Sequence, residues 1–204
     1  MRRLWLLAVA SGSLWTMTLV AQEQPKTKVE ENQARDAAVL ETVLVDLLTQ
    51  PDSPVESRKE TKKEIHFSAK ALRYEIKTDE ILRKRDEEKL KKLSTEQRKS
   101  AREAAEHVTQ RVEKKDFFRE FLPKDKRIKL FSKQQDEASD GRNAIGGEQV
   151  FRAYSPGYSR DQEVAVVHLL FTWAGNRHAA DATYVLGKKK DGWTLLWKDV
   201  TRYP

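Results

Sequence analysis

The sequence predicts an α+β fold, with N-terminal helices packed on a C-terminal antiparallel β-sheet in a meander. Three observations predict it. Apolar residues recur at helical spacing up to about position 122, and the pattern switches to period two from about position 126. Near the end, Lys190-Asp191-Gly192 divides a long alternating run in two, and Asp-Gly is a strong hairpin signal. Helices first and strands last is the α+β order.

The chain opens with Arg2 and Arg3, runs apolar from Leu4 to Val20, and turns polar after Ala21. Charged, apolar and small-residue zones in that order are those of a secretory signal. Residues 1–21 are therefore expected to be a signal peptide, and the mature protein to be exported, periplasmic or extracellular. Ser11, Gly12, Ser13 and Thr16 dilute the apolar stretch below the roughly 20 strongly apolar residues of a spanning helix. No transmembrane span is expected in the mature chain; an uncleaved anchor is the alternative. Residues 22–31 read as a flexible lead-in and 32–204 as one domain, helical over about 32–122 and sheet over about 126–204.

The first helix is carried by Ala37, Leu40, Val43, Leu44, Leu47 and Leu48 on one face, and Pro51 and Pro54 stop it. Ile65 and Phe67, then Leu72, Tyr74 and Ile76, alternate as one or two strands. Thr78 reads as the cap of a charged helix with Asp79 and Glu80 in its first turn, where the helix dipole favours acids. That run has few apolar positions (Ile81, Leu82, Leu90 and Leu93) and must be mostly solvated. Ser94 and Gln97 have capping-box spacing and open a second strong helix. Its stripe of Ala101, Ala104, Ala105, Val108 and Val112 is narrow enough to admit a close neighbour. Phe117, Phe118 and Phe121 close this segment before Pro123.

Residues 127–131 are a candidate strand, 132–149 a polar loop, and Pro156-Gly157 a turn. Residues 163–173 form a strongly apolar strand. Alternation puts Val164, Val166, His168, Leu170 and Thr172 on one face, and Ala165, Val167, Leu169, Phe171 and Trp173 on the other. Both faces are largely apolar, so the strand should be central and covered on both sides. Two further strands follow from Ala180 to Tyr203, with Trp193, Leu195 and Trp197 expected on one face.

Composition removes several function classes. There is no cysteine, hence no thiol nucleophile, thiolate metal site or redox pair. Net charge is +7, or +5 once Arg2 and Arg3 are removed, but both signs are interspersed as on solvated helix faces. Nucleic acid is not the expected partner. Gly157-Tyr158-Ser159-Arg160-Asp161 lacks the second glycine of a nucleophile elbow, and the glycines at 141, 146 and 147 lack the Lys-Ser/Thr of a phosphate loop. No cofactor or metal is expected.

The stretch from Phe171 to Leu186 concentrates the remaining candidates. Gly175 and Asn176 are turn formers, and loops on rigid strands commonly carry sites. Trp173, Arg177, His178 and Tyr184 are the ligand-binding candidates. The catalytic alternative is a hydrolase-like or metal-assisted centre on His168, His178 and Asp181, with His178 as general base and Asp181 orienting its ring. His168 on its strand also fits a structural histidine with a satisfied hydrogen bond.

From Tyr184 outward, a tyrosine-bearing strand, the basic turn with Asp191-Gly192, and a strand led by Trp193 follow in order. This resembles the closing hairpin of cystatin-like and NTF2-like α+β domains in small exported bacterial proteins. The resemblance implies a scaffold; those families share no single activity, so no catalytic residues carry over. The expectation is an exported, non-catalytic protein binding a small ligand or a protein partner through its C-terminal sheet.

Overall fold

The computed structural model describes residues 28–49, 64–83, 86–112, 118, 121–130, 150–173 and 178–203, and all contacts below refer to these. The elements are α1 (Lys28–Thr49), β1 (Ile65–Phe67), α2 (Thr78–Ile81), α3 (Glu87–Leu90), α4 (Thr95–Arg111), β2 (Ile128–Leu130), β3 (Val150–Ala153), β4 (Gly157–Tyr158), β5 (Val164–Trp173), β6 (His178–Lys189) and β7 (Gly192–Tyr203). Most helices precede most strands, the α+β order, although β1 stands between α1 and α2. The polar loop expected over 132–149 and residues 50–63, with Pro51 and Pro54, lie outside the described residues.

The sheet is mixed, which corrects the expected antiparallel meander. Its seven described strands run β2-β1-β3-β5-β6-β7, with β4 paired to β5. β5, β6 and β7 form the meander, as the alternation and the Asp-Gly signal predict. β1, however, pairs parallel with both β2 and β3. Parallel pairing needs a long crossover, and the segment from Ser68 to Arg127 supplies one, with its helices. Leu72 to Ile76 form no second strand. Leu72 N donates to Ala153 O at 2.8 Å, and Leu72 and Ile76 bury as irregular backbone.

Each face of the sheet carries its own apolar layer. α1 covers one face through Val39, Leu40, Val43, Leu44, Leu47 and Leu48, all at most 2% exposed, packed with Phe67, Phe151, Val167, Leu169 and Phe171. Each such side chain contributes roughly 1.5–3 kcal/mol. The opposite face meets Ile81, Leu90, Leu93 and the α4 stripe of Ala101, Ala104, Ala105 and Val108. β5 is therefore central and covered on both sides, as its two apolar faces predict.

The charged run expected as one helix is two single turns. Leu82 leaves the helical region at φ −112°, ψ 87°, and the N-cap is Lys77 rather than Thr78. Each turn holds on by one buried side chain, Ile81 and Leu90. A continuous helix would have needed an apolar stripe that this run lacks. α4 has the capping box in full: Gln97 N donates to Ser94 Oγ at 3.1 Å and Ser94 N to Gln97 Oε1 at 3.0 Å.

The small-residue stripe of α4 has a specific partner. β4 lies so close that a Cβ on Gly157 would overlap the Ala104 carbonyl oxygen and sit 2.6 Å from Val108 N. A polar clamp ties this contact to α1. Arg111 grips Asp36 through Nη2 at 2.8 Å and Nη1 at 3.2 Å, and donates to Pro156 O at 2.6 Å. The Tyr158 hydroxyl donates to Asp36 Oδ1 at 2.6 Å, and the Arg35 guanidinium lies 3.9 Å from the Tyr158 ring centre. Burial, with the Asp36 carboxylate beside it, raises the Tyr158 phenol well above its ordinary pKa. Asp36 thus joins the two helical layers around the edge of β4.

One feature of β7 reverses an expectation. Val185 pairs with Trp197 but Leu186 pairs with Leu195, so Leu196 is an extra residue, a bulge. A bulge shifts side-chain parity by one. Trp193 and Leu195 face the α1 layer, whereas Trp197 faces the α4 layer. The three do not share a face, and Trp193 and Trp197 cannot jointly line one groove.

Candidate functional site

The site is built where α2 ends against the centre of β5 and β6. His168 on β5 pairs in register with Thr183 on β6. Its Nδ1 lies 2.9 Å from Thr183 Oγ1, which in turn donates to the Ile81 carbonyl at 2.9 Å. Ile81 is the last residue of α2, whose end carbonyls have no partner within the helix. The threonine thus joins the sheet's central histidine to the helix end.

Two positions from Thr183 along β6, Asp181 forms an ion pair with Arg83, just beyond α2. Arg83 Nη1 also donates to Thr201 Oγ1 at 2.7 Å on β7. Asp181 is 6% exposed, so its carboxylate is matched by the guanidinium rather than by water. Tyr154, after β3, stands with its ring centre 5.7 Å from that of His168. Its backbone N donates to His168 O at 3.0 Å. Burial, then the Glu80 and Tyr74 charges, push the Tyr154 phenol up to about 12, so it remains a hydroxyl donor at neutral pH.

These residues surround a cleft of about 640 Å³. Ile76 and Leu170 supply apolar wall, and Glu80, Arg83, Tyr154, His168 and Asp181 supply the polar groups. His168 is 2% exposed, and burial holds its imidazole down to about 4 from an ordinary 6.5. The Asp181 carboxylate opposes that shift and Arg83 reinforces it. An unfolded chain protonates this ring below about pH 6.5, whereas the fold keeps it neutral down to about 4. The neutral ring therefore favours the fold above pH 6.5, and this contribution is lost as pH falls from 6.5 to 4. Between pH 7 and pH 5 the expected loss is about 2 kcal/mol, read by urea unfolding as a pH slope that a His168→Gln variant lacks.

The sequence-derived candidates separate in space. His168 and Asp181 both line the cleft. Tyr184 is 1% exposed and packs in the α1 layer on the opposite face. Burial, then the neighbouring Asp46 carboxylate, raise its phenol above the ordinary range. Trp173 pairs with His178 at the end of the β5–β6 ladder. That pair is five positions along β5 from His168, about 17 Å of strand. Arg177 and the side chains of Trp173 and His178 lie outside the described residues. Ser159 is committed to the tight turn before β5: its hydroxyl bonds Asp161 and accepts from Val164 N at 3.0 Å.

Glu80, Arg83, Tyr154, Ile76 and Leu170 were not identified from the sequence as site residues. Arg83 sits in a charged run where every second residue is a plausible surface charge. Tyr154 follows a short strand with no motif around it. The one available signal was Ile81, a buried anchor that had to bring its neighbours onto the sheet. Among the described residues, no group of three or more His, Asp or Glu is arranged to hold a metal ion, and no helix is long and apolar enough to cross a membrane. Comparison with protein families, curated proteins and solved structures finds no match to this chain.

Proposed function

We propose that the protein is an exported, non-catalytic binding protein that takes a small molecule into the cleft on the α4 side of its C-terminal sheet. The cleft itself carries this reading. Ligand pockets typically span roughly 300–1,000 Å³ and combine apolar walls with a few convergent polar groups. An open cleft of about 640 Å³ with Ile76 and Leu170 as apolar wall and Tyr154 and His168 among its polar groups shares that make-up. The N-terminal sequence pattern supports export, and the absence of cysteine suits a fold held by its two apolar layers alone.

A second reading makes His168 a general base, favoured by the bond between its Nδ1 and Thr183 Oγ1, which holds the ring at the cleft. Basicity weighs against it. A ring held down to about 4 is a weak base at neutral pH, where efficient catalysis wants a value near the working pH.

The test is a thermal-shift screen of the mature chain against sugars, small alcohols and amides, divalent metals and anionic polymers. A compound at a hundred times its dissociation constant is expected to stabilise the fold by about 2.7 kcal/mol. A Leu170→Trp variant, which sets an indole into the cleft on the face of His168, should fold and lose most of that shift. If no compound stabilises the protein, or if the shift survives in Leu170→Trp, the proposal fails. Stabilisation by a divalent metal alone that Asp181→Asn abolishes would replace it with the metal-assisted reading.

A further inference from the structure

The bonds around His168 decide which of its nitrogens carries hydrogen. The Ile81 carbonyl can only accept, so the single hydrogen of the Thr183 hydroxyl goes to it. Toward His168 the same oxygen can then only accept, so Nδ1 is the N–H nitrogen. In a neutral ring the other nitrogen, Nε2, is then an unprotonated acceptor. The ring is buried among Tyr154, Leu170 and Asp181, and burial keeps it neutral through the physiological range.

We infer that the cleft selects a neutral ligand that donates a hydrogen bond to His168 Nε2, a hydroxyl or an amide N–H, and rejects anions. The inference rests on the binding reading above and deepens it. A carboxylate or phosphate would set its lone pairs against that of Nε2 and against the Glu80 carboxylate. Arg83 does not offset this, because Asp181 already matches its charge and leaves Glu80 to set the sign of the cleft. Tyr154 supplies the complementary donor, so a group that both donates and accepts, as a primary amide or an alcohol does, satisfies two sides of the cleft at once. Ile76 and Leu170 take an apolar body. Thr183 is a positioning residue here, acting on the ligand through His168.

The experiment uses the full mature chain labelled with ¹⁵N, with a His168→Gln variant to assign the His168 ring signals. Benzamide and benzyl alcohol serve as neutral probes, and benzoate as the anion of matching shape. The expected result at pH 7 is an unprotonated Nε2 and a protonated Nδ1 in the free protein. Both neutral probes should move the Nε2 signal, and benzoate should bind at least about tenfold more weakly. Thr183→Ser should keep the tautomer and the selectivity. Thr183→Val should release the tautomer and reduce the preference for neutral probes.

A protonated Nε2 in the free protein overturns the inference even if the cleft binds probes, and so does benzoate binding as tightly as benzamide. If Nε2 is bare and none of the three probes binds, the binding reading itself has failed, and the ligand class falls with it.

Discussion

A Gly157→Val variant is expected to lose about 3 kcal/mol or more of stability, at the upper end of what overpacking costs. The obstacle is backbone. A side chain at 157 would enter the space of the Ala104 carbonyl and Val108 N, two atoms held in the hydrogen-bonded frame of α4. Neither can turn aside as a flexible side chain could, so β4 must detach or α4 must lift from the sheet. Lifting α4 also exposes Ala101, Ala104, Ala105 and Val108, each at most 1% exposed in the fold. Gly187 is the internal comparison. The atoms nearest a Cβ there, at 3.0–3.2 Å, belong to the side chain of Leu196, so Gly187→Ala should be milder. Urea unfolding of both variants reads the difference as a lower midpoint for Gly157→Val.

The other large effect is expected at Asp36. Its side chain and that of Arg111 are 10% and 13% exposed, and the pair is bonded twice. Removing one partner of a buried ion pair typically costs 3–5 kcal/mol, because the other charge stays buried without compensation. Asp36→Ala also takes the acceptor from the Tyr158 hydroxyl. The expected loss is therefore about 3–5 kcal/mol, measured by chemical denaturation. Removing both charges should cost far less than Asp36→Ala, since an apolar pair of similar volume is often as stable as a buried ion pair. A cycle of Asp36→Leu and Arg111→Met tests this. If the double variant is as unstable as Asp36→Ala, the clamp owes its strength to something other than paired charge.

What the sequence disclosed follows from the range of the forces involved. Helical spacing in α1, the Ser94–Gln97 capping box and the alternation of β5 are local patterns, and each is found, although α1 begins at Lys28, inside the residues read as a lead-in. The β6–β7 hairpin turns at Lys190-Asp191, with Gly192 at φ +125°, a conformation glycine adopts without strain. The parallel pairing of β1 was not legible, because it joins Ile65 to Ile128 and His66 to Val150 across the whole helical segment. The bulge at Leu196 was hidden for another reason: Leu195, Leu196 and Trp197 are all apolar, so the break in parity leaves no polar residue out of place. The site was half legible. His168 stood out as a polar group in an apolar strand and Asp181 as a carboxylate close to His178, but Asp181 pairs with Arg83, 98 residues earlier, and no spacing rule reports that pairing.

The parity change at Leu196 also equips β7 with two built-in optical reporters. Trp193 sits 5.9 Å from the Tyr158 ring in one apolar layer, and Trp197 is enclosed in the other. A single strand therefore delivers one indole to each side of the molecule. With Trp5, Trp15 and Trp173 also replaced by phenylalanine, removing either leaves one fluorophore whose emission follows the loosening of one layer.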